Sequence, residues 1–273
     1  GSEMCIRDRA EADIKKYLDL GLRYADQQWE LPTEKKYLEK MKDPQYYHNL
    51  GYSYQTRLWI DDMFMITALQ AQAYLATGDE KYIERAAKEM ILYLDQLPGE
   101  NGVFYHAPTA KFFWARGNGW MAVGMPEMLR MLPKSAKYDV YRNRILTEYK
   151  KMMATLSAYQ YDSGLWGQLI YPNQGDMWEE TSGSAMFTYA MILGVKNGWP
   201  DEKTYGTVAR KGWLGFQSYL QTNFEIRNVC CGTGAGSSYA YYRDREKYTG
   251  DLHGQAAVMW CAYALTELAN ERK

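Results

Sequence analysis

The sequence is poor in the residues that build metal sites, disulfide frameworks and membrane spans. Its four cysteines, Cys5, Cys230, Cys231 and Cys261, include no Cys-x-x-Cys pair and no Cys/His spacing suited to zinc. Two of them are adjacent, and adjacent cysteines rarely bridge, so neither a disulfide framework nor a structural metal is expected. Histidine occurs only at positions 48, 106 and 253. No apolar run approaches the ~20 residues a membrane helix needs. The net charge is −1 with no basic stripe, which argues against nucleic acid or an anionic membrane surface as partner.

What is abundant is aromatic. Tyr (25) and Trp (9) exceed what a core alone requires, and they suit cores, interfaces and sugar-binding clefts alike. Residues 1–9 read as a non-native leader rather than a targeting segment, because no charged-then-apolar pattern is present. Residues 10–273 then read as a single domain.

Helical periodicity dominates. It predicts helices over 10–29, 57–76, 79–97, 118–132, 138–159, 182–193, 201–220 and 254–269, with Pro126 implying a kink or a late start in the fourth. Short strands are expected at 103–106, 165–170 and 227–230. Residues 33–49 read as a surface excursion or short helices. A faint repeat shows through. NGVFYHA (101–107) and SGLWGQL (163–169) both follow a helix, and TGDEKY (77–82) resembles PDEKTY (200–205). Each unit reads as an inner apolar helix joined to an outer amphipathic one. Stacked hairpins of this kind close into an α/α toroid. At roughly 60 residues per hairpin the chain supplies about four and a half.

Several segments could carry chemistry. In WIDDMFM (59–65) two carboxylates meet a buried helix, and Asp61 and Asp62 point about 100° apart. Either both sit in the first turn as dipole partners, or one of them transfers protons from an apolar setting that suits a general acid. In FFWARGNGW (112–120) Trp114 and Trp120 bracket Arg116. Its two glycines would let the backbone approach a ligand, and its arginine suits a carboxylate. The alternative is a tight loop with Arg116 in a structural salt bridge. His106 lies in the loop just upstream. WEETSGSAMF (178–187) offers Trp178, Glu179 and Glu180 as cleft residues, or Glu180 as a helix cap. Asp251 and His253 open the last helix. The glycine-rich VCCGTGAGSSYAYY (229–242) lacks the lysine of a phosphate-binding loop and reads as a loop across the ring's mouth.

The order WIDDMFM, NGVFYHA, FWARGNGW, ETSGSAMF, VCCGTG, GDLHGQA resembles the unsaturated glucuronyl and rhamnogalacturonyl hydrolases, glycoside hydrolase families 88 and 105, and is closer to the latter. The resemblance runs from about residue 14 to the C-terminus. It implies an all-α, (α/α)6-barrel fold and no metal or organic cofactor. It also implies an oligosaccharide substrate: a lyase-generated, rhamnogalacturonan-type pectin fragment ending in a 4,5-unsaturated uronic acid. Hydration of the C4=C5 bond would release that sugar. Carried over residue by residue, Asp61 is the acid/base, and Trp59, His106, Trp114, Arg116, Trp120, Trp178 and His253 contact the sugar. The family carries a second aspartate in an earlier hairpin, and this sequence shows no counterpart. Together with the repeat count, this leads to the expectation of a barrel incomplete at its N-terminus. The competing readings are another α/α-barrel carbohydrate enzyme (an inverting glycosidase or a lyase) and a non-catalytic fragment that binds acidic sugars. The sequence leaves open the oligomeric state and a bacterial cytoplasmic or periplasmic location.

Overall fold

Helix formation follows the apolar periodicity nearly element for element. The computed structural model describes residues 2–39, 41, 43–172 and 175–271, with side chains between 14 and 267. The side chains of residues 1–13, Cys5 included, therefore lie outside the described residues. The helices are α1 (Ser2–Gln27), α2 (Lys35–Leu38), α3 (Pro44–Asn49), α4 (Ile60–Thr77), α5 (Glu80–Gln96), α6 (Ala115–Met131), α7 (Asp139–Tyr159), α8 (Thr181–Lys196), α9 (Glu202–Gln217), α10 (Tyr239–Arg243) and α11 (Leu252–Glu271). A two-residue antiparallel ladder pairs β1 (Val229–Cys230) with β2 (Lys247–Tyr248). Among the described residues, no helix is long and apolar enough to cross a membrane.

Two of the expected strands do not form. Segments 103–106 and 165–170 make only isolated bridges, Pro98 to Phe104, Trp114 to Leu169 and Gly167 to Glu179. Each residue pairs with a different loop, so no ladder can propagate. The fourth expected helix begins three residues early, at Ala115, and holds Pro126 in its interior. Its early start is possible because the Ala115 amide, which has no partner within the helix, donates to Gln168 O at 2.9 Å.

The chain divides into two compact units, residues 1–57 with 65–90 and residues 58–64 with 91–273. The first packs Ala25, Ala73 and Tyr82 against Leu22, Leu69 and Tyr74. Its buried acid, Glu89, accepts from the Ser53 amide and from Thr56 Oγ1 (2.5 Å), which pins the 53–56 turn. The second is built around α8. That helix is apolar on every side and is buried continuously from Thr181 to Gly194, as an all-round hydrophobic helix must be. It packs against α6, α9 and α11. Fully buried side chains such as Phe187 and Met186 each contribute about 2 kcal/mol relative to exposure. The outer helix α9 starts at the PDEKTY repeat, where Asp201 accepts the Thr204 amide at 2.7 Å.

Candidate active site

The candidate site residues Trp59, Asp61, His106, Trp114, Arg116, Trp120, Trp178 and His253 all lie in the second unit. The chain enters α4 through Leu58, which holds a left-handed φ of 58°. That conformation costs a residue with a Cβ roughly 1–2 kcal/mol, and such strain concentrates at functional sites. Once past it, the Ile60 amide donates to His106 O at 2.9 Å, which docks the start of α4 on the histidine loop. Asp62 turns inward and is buried. The Asp61 side chain is 25% exposed, and its Oδ2 lies 3.8 Å from His106 Nε2. The angular separation of the two aspartates has sent them into different environments.

His106 is fully buried. Its ring lies 4.7 Å from Trp114 and 6.0 Å from Trp59, centroid to centroid. Nδ1 is hydrogen-bonded to Tyr242 Oη at 2.8 Å, whereas buried Nε2 has no hydrogen-bond partner among the described residues. Burial, reinforced by the positive charge of Arg116, lowers its pKa to about 4, so the imidazole is neutral near pH 7.

Trp114 is the N-cap residue of α6, and the Arg116 guanidinium stacks over its ring at 4.8 Å. Arg116 itself is buried. Its Nη1 donates to Cys230 O and its Nη2 to Cys231 O (2.8 Å). The salt bridge considered from the sequence is thus replaced by bonds to backbone carbonyls. The glycines beside it also have a role different from the one expected. A Cβ on Gly117 would lie 2.4 Å from Ile60 Cγ2, and one on Gly119 would lie 2.6 Å from Met186 Sδ. They let helices approach one another, not a ligand. Asn118 ties the helix start to the histidine loop, accepting the Phe104 amide and donating to Phe104 O and Trp114 O.

Trp120 stacks on Phe64 at 4.8 Å and meets Trp260 and His253 edge-on. His253 Nδ1 lies 2.7 Å from Asp251 Oδ1. Burial pulls the Asp251 carboxyl upward, but hydrogen bonds from the His253 amide and ring, with the charges of His253 and Arg116, bring it below its ordinary value. Arg116 therefore acts on both His106 and Asp251, positions 145 residues apart in the chain.

Trp178 is not brought into this group. Its indole N–H donates to Arg243 O at 2.8 Å, and Lys247 sits over its ring. The two glutamates beside it are committed elsewhere. Glu179 accepts from Tyr219 Oη at 2.6 Å. Glu180 is fully buried and caps α8, accepting from the amides of Ser182, Gly183 and Cys230 and from Ser182 Oγ. Tyr242, Phe64 and Trp260 escaped the sequence reading. A tyrosine in the run YAYY carries no signal that separates it from its neighbours. Among the described residues, no cluster of three His, Cys, Asp or Glu could hold a metal ion. Cys230, Cys231 and Cys261 are free thiols and buried.

Comparison with known proteins brings these features together. Residues 24–269 match the family model described as Glycosyl Hydrolase Family 88. An unsaturated 3S-rhamnoglycuronyl hydrolase of Alteromonas sp. (strain LOR) is 30% identical over 177 residues, covering 61% of this chain and 42% of that protein. One of Formosa agariphila is 27% identical over 218 residues, covering 73% and 52%. The chain thus spans about half the length of the curated relatives it matches. A Klebsiella pneumoniae structure described as a possible member of the GH105 family superposes with a TM-score of 0.79 at 24% identity, over 95% of this chain and 68% of that one. That likeness assigns the chain to the all-α, α/α-toroid fold class.

Proposed function

The chain belongs to glycosyl hydrolase family 88, and from that membership and the surroundings of Asp61 we propose that it removes a 4,5-unsaturated uronic acid from the non-reducing end of lyase-generated oligosaccharides. The reaction is hydration. Asp61 gives a proton to C4 of the enol ether, and the ring oxygen stabilises the cation left at C5. Water adds at C5 and returns a proton to Asp61. The hemiketal then opens, and the hemiacetal left at C1 expels the aglycone, so that one water is consumed overall.

The observation that carries this reading is the pairing of one partly exposed acid with one buried neutral imidazole. Asp61 is partly exposed, His106 Nε2 lies 3.8 Å from it, and Trp59 and Trp114 flank the imidazole. Hydration of a vinyl ether needs a single proton donor that can become its own base. Ordinary glycoside hydrolysis needs two carboxyl groups at about 5–9.5 Å from each other. The capping bonds of Glu180 and the Tyr219 bond of Glu179 speak against that arrangement here. Asp62 is read as structural. Arg116 spends donors on Cys230 and Cys231, so its part is read as electrostatic, a buried positive charge favouring a uronate carboxylate. The Trp120–Phe64–Trp260 cluster offers apolar faces for a sugar ring.

For the aglycone, a rhamnogalacturonan-type pectin fragment remains the reading. The two relatives named for an unsaturated rhamnoglycuronyl unit support a uronate joined to rhamnose. The test is the ultraviolet absorbance of the conjugated uronate on pectin-derived and sulfated-rhamnose oligosaccharides. Decay with this chain and none with Asp61→Asn is expected. A rise in absorbance would point to a lyase instead. Binding with no turnover on any substrate would point to a sugar-binding protein.

A further inference from the structure

On its Nδ1 side His106 makes a buried contact with Tyr242. Tyr242, at the end of α10, is fully buried, and its hydroxyl oxygen accepts the Gly236 amide at 3.0 Å. That amide is an obligate donor, so one lone pair of the oxygen is taken. The hydroxyl proton must go elsewhere, and His106 Nδ1 stands 2.8 Å away. If Nδ1 carried a hydrogen, two N–H groups would converge on one hydroxyl, and its own proton would be stranded in a buried setting. The far side of the ring benefits from the same choice once Asp61 has given up its proton: Asp61 Oδ2 faces Nε2 at 3.8 Å, where an N–H is attracted to a carboxylate and a lone pair is repelled. The neutral state favoured by burial leaves one proton to assign, and the Tyr242 contact assigns it to Nε2.

We propose that Tyr242 is a positioning residue that fixes His106 as the Nε2–H tautomer, so that a buried N–H donor faces the Asp61 carboxyl. This rests on the reading of Asp61 as the proton donor. As Asp61 gives up its proton, its carboxylate becomes a better acceptor for that N–H. The interaction is thus stronger in the transition state than before it, which is the condition for accelerating the step. The glycine-rich segment of the sequence acquires a role as well. A Cβ on Gly236 would fall 2.0 Å from the Tyr241 ring, so only glycine can bring its amide to Tyr242 at this point. The loop thereby holds the tyrosine that orients the histidine. It links residues 236, 242, 106 and 61 in one line of contacts.

The test reads the tautomer directly. Long-range proton–nitrogen NMR at neutral pH resolves the imidazoles of a protein with three histidines. The His106 signals are identified by their loss in His106→Gln. The wild type should show Nε2–H. Tyr242→Phe deletes only the hydroxyl, and should leave His106 as a mixture of tautomers. Gly236→Ala should shift the balance the same way without altering either ring. On an unsaturated uronide, Tyr242→Phe should lower kcat about tenfold or more, with KM changed less than about twofold. An Nδ1–H tautomer in the wild type, or an unchanged tautomer in Tyr242→Phe, overturns the proposal. The NMR arm needs no turnover, so a chain inactive on every unsaturated uronide would sink the proposed reaction while the tautomer assignment was still decided on its own.

Discussion

The starts of α4 and α8 look alike in sequence and do opposite things with their acids. Trp59-Ile60-Asp61-Asp62 and Trp178-Glu179-Glu180-Thr181 each place a tryptophan and two carboxylates at the mouth of an apolar helix. At α8 the carboxylate of Glu180 takes three backbone amides and a hydroxyl and is sealed from solvent. At α4 the carboxylate of Asp61 keeps a quarter of its surface open and looks at an imidazole nitrogen just beyond hydrogen-bond reach. Glu180 is fixed as the cap of α8, its oxygens given to the helix start and to Cys230. Asp61, partly exposed beside a buried histidine, is the acid we propose for proton transfer. On that assignment the two helix starts distinguish a capping acid from a reacting one by their surroundings rather than by residue type.

The largest effect that would sharpen the contrast is on turnover. Asp61→Asn should cut kcat by about 10²–10⁴-fold while leaving the thermal midpoint nearly unchanged. Near-normal rates would put the acid elsewhere. Next in size is the pH response of His106. Its pKa is about 4 when folded against 6.5 for the free side chain. Above 6.5 neither state binds the proton. Between the two values the unfolded chain binds it and the folded chain does not, so stability is lost as pH falls through this window, by up to about 3 kcal/mol. Denaturant titrations of His106→Gln should show a flatter dependence from pH 6.5 to 4. An unchanged slope would mean the folded imidazole titrates normally.

On the α8 side the expected losses are of stability. Glu180→Ala orphans the amides of Ser182, Gly183 and Cys230 and should cost about 2–3 kcal/mol of unfolding free energy. The smallest effect is expected for Glu179→Gln, which keeps an acceptor for Tyr219 and should change stability and kcat by less than about 1 kcal/mol equivalent. A severe kinetic defect there would revive the two-carboxylate glycosidase and erase the distinction between the two helix starts.

Much of the fold was legible because helix formation is local. Apolar spacing marked every long helix, and the DEK repeats marked where α5 and α9 begin. Strands were over-read at 103–106 and 165–170, since a ladder depends on a partner that the segment itself does not encode. The candidate site residues near Asp61 stand out through motif order, but the contacts they make do not. FFWARGNGW suggested a ligand loop. Tertiary packing made it a helix start whose glycines admit Ile60 and Met186 and whose arginine holds the carbonyls of Cys230 and Cys231.

What the sequence determined by itself is therefore the run of helices, their apolar faces and the adjacent aspartates that must diverge by about a quarter turn. Only the tertiary structure decided that Glu180 caps α8, that Trp178 is engaged by Arg243 and Lys247, and that Tyr242 stands behind His106. The reason is physical. Periodicity is written within a few residues, whereas the state of a buried polar group depends on partners that meet only when the chain closes, here from positions as distant as 106 and 242.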